Sequence, residues 1–439
     1  MNKNFLKETE LHVHLLQCLY PEDIFNLAKD HYREINWNRF GFLERYEKIY
    51  KKKIDPVKMF EKAIKTGSIE EIKDVMTYKY SERGDFDKFN ITSFFPLCVT
   101  GFYMDKGDFR SVVIPIIERH KKEGLKYVEY RQGVGYSDEV KEEWKEWHKK
   151  FIRILKDSSG EEFQAKYVMR ISENSYEAVK EFMDENPYLN DTIVGLDFTG
   201  REMAPKLHGK FFKKLKKDNE KDPETALDIV VHIGEDFFDK SLESAIRWCH
   251  ETAKLGAKRL GHCIALGLDP EIAISRKKYA HEEEKISERI DQINYDLKHY
   301  DDLIDYGINL DKEELENEKR KLKQKKPDEK IIKKYDKNRL DNIRLRQNYV
   351  LEKFKEIGTV IEVCPTSNLR IGGVPEYKYH PFKKFYENGV NMVICTDDPG
   401  IFDITLDSEV DLISDKFNID MSDLKDRLKD PYKYRMGMK

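Results

Sequence analysis

Four short segments of this 439-residue sequence place histidines and acids directly after apolar runs. They are His12-Val-His14, His232-Ile-Gly-Glu235, Leu260-Gly-His262 and Thr396-Asp-Asp-Pro399. Two histidines at positions i and i+2 of a strand point to the same face, so both imidazoles can reach one metal ion. Each segment alone is typical of a polar turn at a strand end. Because all four carry metal-competent side chains, the set predicts a metal site.

Two local features add to this prediction. Gly234 lets the backbone turn sharply, which could aim Glu235 back toward whatever His232 binds. Asp397 and Asp398 are adjacent carboxylates after an apolar run, and burying both is costly unless a cation or hydrogen bonds compensate them.

The elements that must position these residues are short apolar runs separated by helix-like stretches. Eight such runs, nearly continuous in apolar residues, are typical of parallel strands buried on both faces. The predicted strands are Glu10–His14, Tyr127–Arg131, Tyr167–Ile171, Ile193–Asp197, Ile229–His232, Arg259–Gly261, Val360–Val363 and Met392–Cys395. Eight strands alternating with helices predict an α/β fold, a (β/α)8 barrel over residues 1–439, and barrel enzymes carry their catalytic groups at the carboxyl ends of the strands.

Two connections are longer than a barrel requires. Residues 15–124 contain several helical patterns and predict a helical cap after the first strand. Residues 275–351, before the seventh strand, predict a long helical insertion with further helices at Leu310–Lys325 and Lys330–Phe354.

Isoleucine, leucine and tyrosine recur in the insertion with heptad spacing, from Ile286 to Ile304. Such a stripe needs an apolar partner, which favours a coiled-coil-like arm that joins copies of the chain into a homo-oligomer. The alternative is a charged, solvated insertion that only lengthens the connection.

Composition narrows the classes of partner. The formal charge of −4 comes from dispersed basic and acidic residues, which does not favour nucleic acid as a partner. No run reaches the roughly 18 consecutive apolar residues of a membrane span. The six cysteines are scattered without a Cys-x-x-Cys pair, so we expect reduced thiols, no thiolate zinc site and a cytoplasmic protein.

Together the four segments resemble the signature strand ends of the adenosine deaminase family of metal-dependent amidohydrolases. Supporting stretches are also similar: Pro21-Glu-Asp-Ile-Phe, Glu123 to Arg131, Gly195 to Glu202, Glu362 to Asn368 and His380-Pro-Phe. The resemblance covers roughly residues 5–270 and 357–405, omits the insertion and fades after Leu406.

The resemblance implies one Zn2+ per chain, bound by His12, His14, His232 and Asp397, and hydrolytic deamination of a purine at C6. It implies that Glu235 protonates N1 of the ring, and that His262 and Asp397 orient the attacking hydroxide. In the same family pattern, Asp398 bonds N7 and the backbone N–H of Gly200 contacts N3. The expected substrate is a small adenine-containing nucleoside or nucleotide.

One position departs from the family pattern. The family usually has an acid that accepts a hydrogen bond from the 5′-hydroxyl of the sugar where this chain has Leu16. An apolar residue removes that selectivity for a nucleoside and also removes a charge that would repel a phosphate. Arg201 and Arg370 could supply a cation nearby, so a 5′-phosphorylated substrate and adenosine both stay open.

Two other classes of protein also fit parts of the sequence. A catalytically silent barrel could act as an oligomeric scaffold, but every implied metal ligand and Glu235 are present. The other class is a different amidohydrolase, acting on another purine, a cyclic amidine, a lactone, a phosphotriester or a cyclic amide. A binuclear site of that kind is disfavoured by the absence of a strand-end lysine, because the middle strands end in Arg170-Ile171 and Asp197.

Overall fold

The computed structural model describes residues 6–199, 202, 204–235, 240–275 and 283–437. Eight parallel strands form one sheet, in the order β1-β2-β3-β4-β5-β6-β9-β10. Their bounds are β1 Thr9–His14, β2 Tyr127–Gln132, β3 Gln164–Arg170, β4 Ile193–Phe198, β5 Asp228–Ile233, β6 Arg259–His262, β9 Val360–Val363 and β10 Asn391–Ile394. Each predicted strand is confirmed. The largest error is at β3, which begins three residues before the prediction because its first residues alternate between buried and half-buried.

The helices fall into four groups along the chain. The cap contains α1 Pro21–Ala28, α2 Phe42–Tyr50, α3 Pro56–Thr66, α4 Glu70–Met76, α5 Phe86–Asp105 and α6 Phe109–Lys122. The barrel helices are α7 Lys141–Ser158, α8 Tyr176–Glu185, α9 Pro205–Lys221, α10 Leu242–Leu255 and α11 Pro270–Ser275. Before β9 lie α12 Ile286–Lys298, α13 Tyr300–Asp305, α14 Lys312–Leu322 and α15 Lys337–Ile357. The C-terminal group is α16 Pro365–Ser367, α17 Phe382–Asn388, α18 Pro399–Phe402, α19 Leu406–Phe417 and α20 Met421–Arg427.

The sheet closes into a barrel where β1 pairs with Asp397, three residues after the end of β10. Val13 pairs in parallel with Asp397, and the main chain of Asp397 donates to the carbonyl of His12 over 2.9 Å and accepts from the N–H of His14 over 2.9 Å. The predicted (β/α)8 barrel is therefore confirmed.

The opposite end of the barrel is covered by the C-terminal tail. Met436 packs among valines of β3, β4 and β5, and its N–H donates to Glu129 Oε1 over 2.7 Å. Tyr434 donates from its hydroxyl to Asn391 Oδ1 over 2.8 Å at the start of β10. This tail therefore seals the amino-terminal ends of the strands and leaves the carboxyl ends as the open face.

Residues 15–124 form the predicted helical cap. The chain leaves β1 through a short helical turn, Leu15–Cys18, and the buried rings of Trp37 and Phe95, 5.1 Å apart, mark the apolar centre of the cap. In the described part of the chain, no helix combines the length and apolar composition that crossing a bilayer would require.

The insertion differs from its prediction in two places. The heptad stripe lies on two helices, because the chain leaves helical geometry at His299 between α12 and α13. Lys330–Ile332, predicted as the start of a helix, is the strand β8, which pairs antiparallel with β7, Glu283–Lys285. Pro327 lies just before β8, and its carbonyl accepts the N–H of Ser287, so the chain returns to β7 after α12, α13 and α14 and before α15 begins.

The apolar stripe finds its partner inside the chain. Ile286 and Ile293 are buried against Leu315 and Leu322 of α14. The reason for expecting a second copy on this stripe is therefore removed, although the homo-oligomer itself remains a prediction.

Buried polar groups hold the insertion on α10. Glu243, in the first turn of α10, accepts from Arg339 Nε over 2.6 Å and from Arg339 Nη2 over 3.0 Å. The neighbouring N–H of Leu242 donates to the hydroxyl of Tyr335 over 3.3 Å. Deeper in the contact, Arg247 Nε of α10 donates to Gln292 Oε1 of α12 over 3.2 Å. Within the insertion, Arg346 of α15 donates to both carboxylate oxygens of Asp296 of α12 over 2.6 and 2.9 Å. The insertion is thus docked on the helix that follows Glu235 in the chain.

The Glu243–Arg339 pair gives a test of this docking. Arg339→Met leaves Glu243 buried without its cation, so we expect the free energy of unfolding to fall by about 3 kcal/mol. Arg344→Met is the matched control on the same helix, because Arg344 pairs with Asp269 at the surface and should cost less than about 1 kcal/mol. Denaturant titration of both variants measures the difference. Equal losses would contradict the docking role.

Candidate active site

The open end of the barrel brings the predicted ligands together. His12 and His14 end β1, His232 lies near the end of β5, and Asp397 follows β10. One ligand atom from each of the four lies within 4.8 Å of all the others. Asp397 Oδ1 is 3.4 Å from His12 Nε2 and 3.2 Å from His14 Nε2.

Backbone conformation turns two of the functional residues inward. His262 and Asp397 adopt φ values of 69° and 68°, a region that residues with a side chain rarely occupy. Such strain persists only where the surrounding structure fixes it, and it clusters at functional sites. Gly234 makes the predicted turn with φ 70°, and a Cβ there would lie 2.6 Å from Cys249 Sγ.

Buried carboxylates orient the ligand imidazoles. His12 Nδ1 lies 2.9 Å from Glu362 Oε2, and His232 Nδ1 lies 3.1 Å from Asp197 Oδ1. A proton on each Nδ1 leaves each Nε2 with its lone pair facing the cluster, the arrangement usual for metal-bound histidine. Ser367 Oγ donates to Asp397 Oδ2 over 2.7 Å, which directs the other carboxylate oxygen toward the imidazoles.

The donor set fits a divalent metal ion. His232 Nε2 is buried and has no hydrogen-bond partner among the described residues, an expensive arrangement unless something binds it. Burial lowers the pKa of His14 to about 4, which keeps its imidazole neutral and able to coordinate. Three imidazole nitrogens and one carboxylate oxygen are ligands that suit zinc.

A second donor group overlaps the first. His262, Cys364 and Asp397 also bring one ligand atom each within the same range. Burial raises the pKa of the Cys364 thiol well above its ordinary value, which favours its neutral form. All six cysteines are free and buried.

Beneath the ligands lies a layer of buried charges that sequence reasoning missed. Arg259 Nε donates to Glu362 Oε1 over 2.7 Å, and Arg131 also donates to Glu362. Burial would raise the pKa of Glu362, but Arg131, His12 and Arg259 hold it well below its ordinary range. The signal was present in the sequence, since Glu129 and Arg131 interrupt an apolar strand at positions of one face.

The predicted catalytic residues lie next to this cluster. Glu235 Oε2 is 3.5 Å from His262 Nε2, and the N–H of Glu235 donates to Glu202 Oε1 over 2.7 Å. The side chain of His262 is fixed from behind, since Asn368 Nδ2 lies 3.0 Å from His262 Nδ1.

The tautomer of His262 follows from a chain of hydrogen bonds. The N–H of Phe382 donates to His380 Nδ1 over 3.0 Å, so the proton of neutral His380 is on Nε2. That N–H donates to Asn368 Oδ1 over 3.1 Å, which leaves the amide nitrogen of Asn368 to donate to His262 Nδ1. Burial lowers the pKa of His262, so the ring is neutral and its proton is on Nε2, facing Glu235.

The predicted substrate contacts are only partly described. Gly200 and Arg201 lie outside the described residues. Asp398 is buried beside Asp397, and burial together with that charge raises its pKa well above the ordinary value, as a carboxyl that donates to a purine nitrogen requires. Arg370 Nη1 donates to the carbonyls of Tyr78 and Phe402 over 2.9 and 2.6 Å, so part of this guanidinium is held by the main chain.

Leu16 is buried, and its N–H donates to Gln132 Oε1 over 3.3 Å. A cavity of about 380 Å³ lies beside His232 and extends over the ends of β2, β3 and β4, where Tyr136, Arg170 and Glu202 line it.

A parallel barrel whose histidines and carboxylate meet at the carboxyl ends of its strands has the architecture of the amidohydrolase fold. The family model described as adenosine deaminase matches residues 332–434. The adenine deaminase of Rhizobium leguminosarum is 37% identical over 68 residues, which are 16% of this chain and 21% of that protein. The adenosine deaminase of Clostridium perfringens is 35% identical over 71 residues, again 16% and 21%. The matched segment thus spans about a fifth of the length of these curated relatives.

Solved structures share the fold over almost the whole chain. An N6-mAMP deaminase of Arabidopsis aligns with a TM-score of 0.55 and 16% identity, over 99% of this chain and 94% of the other. Arabidopsis ADAL in complex with GMP aligns with a TM-score of 0.54 and 15% identity, over 99% and 93%. The sequence match over residues 332–434 and the shared fold make this chain similar to proteins of the adenosine deaminase family.

The orientation of His232 gives a test of the metal site. Asp197→Asn replaces the charged acceptor of His232 Nδ1 with a neutral one, so we expect metal affinity to fall roughly 10- to 100-fold. Competition with a chelator of known affinity measures it. Asp191→Asn is the matched control, since Asp191 precedes β4 and pairs with Lys156 at the surface. Equal metal affinity in the two variants would contradict the orienting role of Asp197.

Proposed function

We propose that the protein hydrolyses the C6 amino group of an adenine-containing nucleoside or nucleotide, releasing ammonia. The cofactor is one Zn2+ per chain, held by His12, His14, His232 and Asp397. The observation that carries the proposal is the convergence of these four donors beside Glu235 and His262, with His232 Nε2 buried and unpartnered among the described residues. When bound, zinc lowers the pKa of water enough to supply hydroxide near neutral pH.

The residues in and around the metal-binding cluster each have a separate role in the reaction. The oxygen of one water molecule bonds to C6 of the purine, and the C6–N bond breaks. One water proton passes to the leaving amino group, which departs as ammonia, and the other replaces the proton that Glu235 gives to N1. Glu235 donates a proton to N1 as the ring loses its aromaticity. The Nε2–H group of His262 orients the attacking water, and the carboxylate of Asp397 helps to remove a proton from that water. The protonated carboxyl of Asp398 donates to N7.

The substrate class is supported by the named relatives and by one residue of this chain. The relatives are an adenine deaminase, an adenosine deaminase and an N6-mAMP deaminase, and the ADAL structure contains GMP. Leu16 presents no acceptor for a 5′-hydroxyl and no charge that would repel a phosphate. We therefore include 5′-phosphorylated adenine compounds among the substrates.

The first test is a substrate panel on protein of known zinc content. Adenosine, deoxyadenosine, adenine, AMP and ATP are compared by kcat/KM, with ammonia release and metal analysis on the same sample. Turnover of any of these compounds by protein with about one zinc per chain supports the proposed deaminase activity. A strong preference for adenosine over both AMP and ATP would exclude a 5′-phosphorylated compound as the preferred substrate.

The second test is Glu235→Gln, which keeps the shape of the side chain and removes its proton donor. We expect kcat to fall by about 10²- to 10⁴-fold, the usual contribution of a positioned acid. The zinc content should stay the same, because Glu235 is not among the four ligands. Glu220→Gln, an exposed change on α9, is the control for loss of one carboxylate. Undiminished turnover in Glu235→Gln would refute the role of this residue.

A further inference from the structure

The cavity beside His232 contains a positive charge that the proposed chemistry does not use. Arg170 is the last residue of β3, and its side chain is exposed on the cavity wall. Among the described residues, nothing pairs with its guanidinium, whereas Arg131, Arg259 and Arg370 are all bound to carboxylates or carbonyls. Arg170 is therefore a permanent cation available to a ligand.

The backbone fixes Arg170 at the mouth of the barrel. Its register partner on β4 is Asp197, which also orients His232, and the next N–H, of Ile171, donates to the carbonyl of Asp197 over 3.0 Å. On the other side, a Cβ at Gly133 would lie 2.7 Å from Cβ of Arg170, so the end of β2 passes closely against it. The guanidinium therefore extends from a rigid position between two strand ends.

The charges in the cavity are ordered from the inside outward. Glu202, which accepts from the N–H of Glu235, is the acid of the inner wall. A carboxylate there suits the hydroxyl groups of a sugar and repels an anion. At the rim, Arg170 is joined by the exposed side chains of Ser172 and Asn174, which add O–H and N–H donors. Phosphate is recognised by this kind of donor set.

The expected pose of the purine directs the sugar toward this rim. N9, which carries the sugar, lies on the opposite side of the purine from N1. A base that meets Glu235 with N1, after β5, therefore points its sugar away from β5. In the strand order β1 lies across the barrel from β5, with β2 and β3 beside it, so the sugar extends toward this side of the mouth. The cavity runs from His232 on β5 past Arg170 on β3 to Tyr136 after β2.

We propose that the rim formed by Arg170, Ser172 and Asn174 is the subsite for the 5′-phosphate of an adenine nucleotide, with Arg170 as the residue that selects nucleotides over nucleosides. This inference rests on the proposed function. It places the phosphate contact at the end of β3, whereas the sequence suggested Arg201, which lies outside the described residues, or Arg370.

The experiment compares AMP with adenosine in wild-type protein and in Arg170→Gln. Loss of a charge-assisted contact should raise KM for AMP by roughly 10- to 100-fold. The increase in KM for adenosine should be at least about ten times smaller than the increase in KM for AMP. Arg170→Lys should recover part of the preference, since it keeps the charge without the fork of donors. Arg153→Gln, an exposed arginine on α7 that contacts Tyr188, controls for net charge and should leave the ratio unchanged.

Direct binding separates the two proposals. AMP and adenosine affinities are measured by calorimetry on the same proteins, independently of turnover. A selective loss of AMP affinity in Arg170→Gln supports the subsite even if no product forms, and in that case the deaminase proposal alone fails. Equal losses for the two ligands, or none, overturn the subsite whatever the turnover.

Discussion

The fold and the candidate active site both depend on the seam of the barrel, where β1 pairs with Asp397 after β10. Asp397 closes the barrel with its main chain, donating to His12 and accepting from His14, while its carboxylate lies against the imidazoles of the same two residues. Its left-handed backbone conformation allows both at once. The carboxylate therefore has its geometry only when the barrel is closed, and a bound metal would stabilise that closure, because ligands from both ends of the chain meet there.

The charge layer beneath the seam explains how four polar ligands are tolerated in a buried place. Arg131 and Arg259 each donate to Glu362 and to the carbonyl of Leu11 on β1. Glu362 Oε2 in turn lies 2.9 Å from His12 Nδ1, so the two arginines position the imidazole of His12 through the Glu362 carboxylate. The C-terminal tail joins this layer from below, because Arg259 Nη1 donates to the carbonyl of Tyr434 over 2.7 Å. A buried charged side chain without a partner of opposite charge lowers the stability of the fold, and here Arg131, Arg259 and Glu362 all have such a partner.

Much of this could be predicted from the sequence, and the reason is specific. Parallel strands buried on both faces read as apolar runs, and polar residues end those runs, so both the barrel and the convergence of His12, His14, His232 and Asp397 could be predicted. The network from His380 through Asn368 to His262 could not be derived, because it depends on which residues of distant turns meet. The heptad stripe was read correctly as apolar but assigned to a second chain, since spacing cannot show that α14 lies in front of it.

Substrate choice illustrates the same limit at one position. Leu16 showed from the sequence that the usual acceptor is missing, yet the absence of a group does not identify what replaces it. Leu16, in the helical turn after β1, is buried and its N–H donates to Gln132 at the end of β2, so the side chain at this position offers no polar contact. Recognition must then come from neighbouring strand ends. Arg370 donates to two carbonyls, whereas within the described part of the chain no group pairs with Arg170 at the end of β3. Under the proposed function, a leucine after β1 and this cation at the end of β3 act in the same direction, since both favour an anionic substituent on the sugar.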